Sequence, residues 1–153
     1  MSFTPRVVTL IGDFTVNALL DLAFELFSPL GEKSWVPHWE PELLYPAGVN
    51  WARGLVFRTK EEHEDAIWIV SHLDQADHRV EYYRVESSRY VVRVEVKCGA
   101  VSASETRVHV TYQFVGLSKE GNDQIATMTE EEYKAKMARW KKWVNASLED
   151  QAR

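Results

Sequence analysis

Val92-Arg93-Val94-Glu95-Val96-Lys97-Cys98, followed closely by Thr106-Arg107-Val108-His109-Val110-Thr111-Tyr112-Gln113-Phe114, decides the fold class. In the first stretch Val92, Val94, Val96 and Cys98 oppose Arg93, Glu95 and Lys97. In the second, Thr106, Val108, Val110, Tyr112 and Phe114 oppose Arg107, His109, Thr111 and Gln113. A period of two sends alternate side chains to opposite faces. Each stretch is therefore a strand with one packed and one wet face, as in an antiparallel sheet. Such a sheet needs a cover for its apolar face.

The cover lies at the C-terminus. Thr129 and Glu132 have the spacing of a capping box, and Glu130 and Glu131 suit the positive end of a helix dipole. From there Tyr133, Met137, Trp140, Val144 and Leu148 recur at helical spacing. At about 100° per residue they fall within an arc of about 80°, so the helix buries one seam and leaves Lys134, Lys142 and Asn145 wet. Running to about Asp150, it spans roughly 33 Å.

Working outward, further strands are predicted near 51–59, 65–73 and 78–86, besides 89–98 and 104–116. The short polar turns Asp74–Asp77 and Ser87-Ser88 join them as a meander. Arg6 to Asp13 is a first strand. Val16 to Phe27 has helical spacing and should stop at Ser28, because Pro29 disfavours helical geometry before it. Residues 29–50 hold four of the five prolines, with Trp35 and Trp39, and read as a stiff excursion. Residues 116–128 read as a polar connector. The expectation is α+β: a curved antiparallel sheet wrapped around a long C-terminal helix, with 1–153 as a single domain.

Composition narrows the function classes. The formal charge is −5, with both signs interspersed and no basic stripe, which argues against nucleic acid as a partner. No stretch approaches the ~20 apolar residues of a membrane span. The N-terminus alternates instead of forming a continuous apolar block, and Cys98 is the single cysteine, so a cytoplasmic chain is expected. No pair of histidines has zinc spacing and no phosphate loop, dinucleotide fingerprint or GxSxG elbow occurs, so neither a metal nor a cofactor is expected. Six tryptophans are many for 153 residues, and large rings fill cores and line ligand pockets alike.

The order of elements and several motifs resemble the START-like superfamily with the helix-grip fold, also called the SRPBCC or Bet v 1-like group. The likeness is greatest to its polyketide-cyclase-like bacterial members. It is carried by Ser28-Pro29-Leu30-Gly31-Glu32, Trp35, Pro37, Trp39-Glu40-Pro41-Glu42, Tyr45-Pro46 and Gly54-Leu55-Val56-Phe57. Trp68, Glu81-Tyr82, Arg84-Val85, Thr106, Val110-Thr111-Tyr112, Leu117-Ser118, Gly121-Asn122, Met137 and Trp140 continue it over nearly the whole chain. The resemblance implies a cavity between sheet and C-terminal helix that takes lipids, hormones, polyketides or other hydrophobic molecules. Some members are carriers or receptors, some cyclases or aromatases, and one branch activates a chaperone.

Candidate site residues follow. Trp35 and Trp39 form a lid over the cavity or anchor the loop. Phe57 and Trp68 lie on strands, and Tyr133, Met137 and Trp140 on the buried stripe of the last helix, where they serve as core or as ligand contacts. Tyr82 and Arg84 share parity with Val80. If Val80 faces in, so do a phenol and a guanidinium able to hold a carboxylate or enolate. The alternative turns Tyr83 and Val85 inward and leaves Arg84 solvated. Arg53 carries the same ambiguity beside Leu55 and Phe57. His72 shares parity with Trp68 and Val70 and, facing the cavity, reads as a hydrogen-bonded structural residue or as a general base, while Cys98 reads as a small buried residue. Three functions are compatible: binding of a small hydrophobic ligand, a cyclase, aromatase or dehydratase, and a protein-interaction module. The partner expected is a small hydrophobic molecule, the protein being a monomer or homodimer. The binding reading calls for an apolar cavity, the enzyme for converging polar groups, the interaction module for a filled interior.

Overall fold

A computed structural model describes residues 2–152. One seven-stranded sheet has the order β1-β7-β6-β5-β4-β3-β2, antiparallel at every pairing. Its strands are β1 (Val7–Val16), β2 (Glu42–Tyr45), β3 (Val56–Thr59), β4 (Ala66–Asp74), β5 (Arg79–Glu86), β6 (Tyr90–Ser102) and β7 (Glu105–Gly116). Among the described residues three α-helices, α1 (Leu20–Glu25), α2 (Lys119–Ile125) and α3 (Glu130–Gln151), and a short 3-10 helix at Gly31–Ser34 complete it. The alternation expected of β6 and β7 is present, with Val92, Val94, Val96, Val108, Val110, Tyr112 and Phe114 all buried. The Thr129 side chain caps α3 by accepting from the Glu132 amide, and Tyr133, Met137, Trp140 and Val144 are its buried face. The fold class is α+β, a curved antiparallel sheet gripping a long helix, as expected.

Five local expectations are corrected or refined. The first strand continues to Val16, because Val16 pairs with Thr106 and is fully buried. The helix expected over 16–27 is thereby confined to Leu20–Glu25. The strand expected at 51–59 shrinks to Val56–Thr59, since Gly54, at φ +88, turns the chain and Trp51 packs 4.8 Å from the Phe24 ring. The excursion 29–50 contains the edge strand β2, a place where the flanking Pro41 and Pro46 interrupt no ladder on the open side. The polar connector contains α2, capped by Ser118, whose hydroxyl accepts from the Gly121 amide at 3.0 Å.

Two non-local features shape the interior. Between Val70 and His72 the register of β4 on β5 shifts by one residue: Val70 opposes Tyr82, whereas His72 opposes Glu81. Ser71 is the extra residue, held by its hydroxyl to the Glu81 carboxylate at 2.8 Å. The bulge moves His72 off the inner face, so the parity argument for a cavity-facing base fails there. Second, α3 approaches the sheet backbone closely only at β1. A Cβ built on Gly12 would lie 2.9 Å from Met137 Cγ and 3.0 Å from Tyr133 Cε2, so the missing side chain sets how near the helix comes. The helix is pinned to one edge of a curved sheet and stands away from β3, β4 and β5. No helix is long and apolar enough to cross a membrane among the described residues.

Candidate functional site

The gap left by α3 is a cleft of about 530 Å³, bounded by the segment from Glu32 to Glu42, strands β3, β4, β5 and β7, and the α3 face around Lys136 and Trp140. Its walls are aromatic. Trp68 stacks on Phe57 (centroids 5.4 Å, planes 11° apart) and its indole donates to Thr59 Oγ1 at 2.9 Å. Trp39 meets Trp68 edge-on at 5.5 Å and donates to the Pro29 carbonyl at 2.7 Å, tying the Pro-rich segment over the cleft. Trp140 and Tyr112 face each other at 6.2 Å on the far side.

Besides Tyr112, nine ionisable side chains line the same space: Arg84, Lys136 and Glu32, together with His38, Glu40, Glu42, Arg58, Lys60 and Glu61. Val80 and Tyr82 are buried and Tyr83 is exposed, so the even-numbered side chains of β5 face inward. Arg84 therefore points into the cleft, not to solvent. Its guanidinium lies 5.5 Å over the Trp68 ring and 5.9 Å over Tyr90. Its Nε is buried without a hydrogen-bond partner, the nearest carboxylate oxygen being Glu86 Oε2 at 3.7 Å. Lys136 Nζ rests 3.9 Å from the Tyr112 ring centroid and 5.5 Å from Trp140. Burial, followed by the charges of Arg84 and Arg139, brings the Lys136 ammonium down to about 7, with Glu32 opposing the shift. Glu32 shows part of its surface to the cleft but lies deep beneath the loop. This burial pushes its carboxyl well above the usual carboxylate range, with Lys136 the smaller, opposing influence. Burial also raises the Tyr112 and Tyr82 phenols.

The linkage has a definite sign. Lys136 binds its proton more weakly in the folded chain than in the unfolded one, so it adds stability as pH rises from about 7 toward 10. Lys136→Met is expected to be more stable than the parent at pH 6 and to lose that advantage by pH 10. Paired urea melts at the two pH values measure this; an equal difference at both would show a solvated ammonium.

Of the nine residues singled out from sequence, Trp39, Trp68, Arg84 and Trp140 line this cleft. The other five stand behind or beside it. Trp35 is buried between Phe27 and Trp140, each 5.4 Å away, and donates to the Leu26 carbonyl. Phe57 is covered by Trp68, and the Tyr82 hydroxyl donates to the Phe27 carbonyl at 2.7 Å. Tyr133 donates to the Val110 carbonyl, and Met137 sits against Gly12. Arg53 is exposed, and Cys98 is buried with its thiol pushed up to about 12. Lys136 and Glu32 were missed. On a helical wheel Lys136 falls about 40° beyond Trp140, at the border of the apolar seam, and that position was the available signal. Glu32 carried no signal beyond its place in a resembling motif. The interior is thus aromatic-walled and charged, in contrast to the almost wholly apolar cavity expected of a carrier. Among the described residues no group of three or more His, Cys, Asp or Glu side chains is placed to hold a metal ion.

No protein-family model matches the chain, and a search of curated proteins returns no match. Solved structures do match. A norcoclaurine synthase point mutant from Thalictrum flavum, in complex with a transition-state analogue, superposes with TM-score 0.67 at 10% identity, over 98% of this chain and 99% of that one. The Zhui aromatase/cyclase from Streptomyces gives TM-score 0.65 at 17% identity, over 97% of each chain. A major latex-like protein from Panax ginseng gives 0.63 at 14%, over 92% of this chain and 96% of that one. At such identities the likeness establishes architecture and not activity. The chain shares the helix-grip fold of these structures.

Proposed function

We propose that the protein binds a small hydrophobic molecule, lipid- or polyketide-like and bearing an acidic or enolisable oxygen, in the cleft beneath α3. The apolar body lies between Trp39 and Trp68 on one side and Tyr112 and Trp140 on the other, and the oxygen meets Arg84. The observation that carries this reading is Arg84 itself, a permanent cation facing an aromatic-walled cleft with a buried N–H left unpaired. An unpaired buried donor is costly, and a ligand oxygen relieves that cost. The volume, about 530 Å³, lies in the range of small-molecule sites.

The test is a titration of tryptophan fluorescence with 2-naphthoic acid and with the neutral 2-naphthalenemethanol. The parent is expected to prefer the acid. Arg84→Met should weaken the acid by about 10- to 100-fold, the worth of a charge-assisted hydrogen bond of roughly 1.5–3 kcal/mol, and change the alcohol little. Equal affinity for both probes in the parent would remove Arg84 from the binding role.

A second reading, an enzyme of the cyclase, aromatase or dehydratase type, is favoured by Lys136 and Glu32. Both are moved toward neutrality by burial and both line the cleft, which suits proton transfer. Two of the matching structures are a synthase and an aromatase/cyclase by description, which accords with this reading. An interaction module would call for a filled interior, and the cleft weighs against it. The lone, buried Cys98 supports a reducing, cytoplasmic setting.

A further inference from the structure

We propose that Lys136 is a carbonyl-capturing amine, condensing through Nζ with an aldehyde or ketone of an aromatic ligand held in the cleft. The proposal rests on the cleft being a ligand site and adds to it the chemical class of the ligand.

The placement of Lys136 is unlike that of the other lysines. Lys119 pairs with Asp123 at 2.8 Å and Lys97 with Asp77 at 3.5 Å, and every other lysine among the described residues is exposed. Lys136 is half-buried and, among the described residues, has no carboxylate within 4.0 Å and no hydrogen-bond acceptor. Its nitrogen lies on the face of Tyr112, beside Trp140, where the rings would hold a planar ligand against it. The charged groups facing it are Arg84 from β5, Arg139 from its own helix and Glu32 from the covering segment. Two cations against one carboxyl disfavour a third positive charge, as does burial. The amine therefore holds much of its population in the unprotonated, nucleophilic form near neutral pH.

The step balances without a co-reactant. The nitrogen lone pair attacks the carbonyl carbon and a C–N bond forms as the C=O π bond opens onto oxygen. The carbinolamine then loses that oxygen as water. Its two protons come, in net, from the amine, and a C=N bond remains. Arg84 is the fixed positive charge in the cleft for the oxygen while it bears negative charge. Glu32, whose carboxyl is shifted toward its neutral form, is the acid lining the same space.

The experiment uses 2-naphthaldehyde with cyanoborohydride on the whole protein, with adducts located by peptide mass spectrometry. In parallel, 2-naphthalenemethanol, which has the same ring without the electrophile, is titrated by tryptophan fluorescence. The expected result at pH 7 is reduction onto Lys136 at least about tenfold faster than onto any exposed lysine, with a rate midpoint near pH 7. Lys136→Arg, which keeps a cation but cannot form the imine, should lose the adduct while retaining a native melting curve. Lys134→Arg, on the wet side of the helix, should leave it intact. Binding of the alcohol with aldehyde adducts spread evenly over the lysines would overturn the proposal and leave the cleft as a ligand site. Neither binding nor selective adduct would overturn both.

Discussion

Glu86→Ala is expected to destabilise the fold by about 3–5 kcal/mol, read as a lower urea midpoint at unchanged slope. Glu86 and Arg89 are 1% and 5% exposed and form an ion pair across the β5–β6 turn. Arg89 also donates to Gln124 Oε1 at 2.7 Å and lies 5.1 Å over the Tyr90 ring, so the pair fastens α2 to the sheet end. The second oxygen of Glu86 is the nearest carboxylate oxygen to Arg84. Removing the carboxylate leaves Arg89 buried without a counter-charge and takes from Arg84 its nearest carboxylate. The cost belongs to the orphaned charge more than to the contact. Glu86→Leu combined with Arg89→Met should therefore cost much less than Glu86→Ala alone. A single mutant losing under 1 kcal/mol would show that water reaches the turn.

Trp35→Ala and Trp39→Ala are expected to separate stability from binding. Trp35 is 5% exposed, wedged between Phe27 and Trp140 with its N–H on the Leu26 carbonyl. Its truncation opens a cavity at the junction of α1, α3 and the Pro-rich segment and should cost about 3–5 kcal/mol. Trp35→Phe, which keeps a benzene ring but loses the pyrrole and its donor, should cost less, about 1–3 kcal/mol. Trp39 is half-buried and lines the cleft. Its truncation should cost roughly 1–2 kcal/mol of stability. Binding of 2-naphthalenemethanol should fall by about tenfold with the loss of one aromatic wall. The reverse ranking, with Trp39 the costly one, would make Trp39 the anchor and Trp35 the lid.

The two tryptophans show where sequence reading stops. Both stand on one Pro-rich segment four residues apart, and both serve equally as lid or anchor on paper. The difference comes from what each meets across the molecule: Trp140 of α3 for Trp35, Trp68 of β4 for Trp39. The same holds for β5. Its alternation is ragged, and whether Tyr82 and Arg84 or Tyr83 and Val85 face the core depends on the register with β4 and β6.

What the sequence by itself determined is the architecture. Alternation in 92–98 and 106–114 and the 80° seam of α3 follow from Cβ geometry along a strand or helix, so they are written in near neighbours and need no partner to be seen. The cleft and its chemistry were decided by the tertiary structure. The bare backbone of Gly12 lets α3 settle onto β1 and so hold away from β3–β5, and the extra residue at Ser71 turns His72 off the inner face. Lys136, a border residue on the helical wheel, has its ammonium brought down to about 7 because burial beneath distant elements, and then the charges of Arg84 and Arg139, disfavour it. These are distances between elements far apart in the chain, and no local period encodes them.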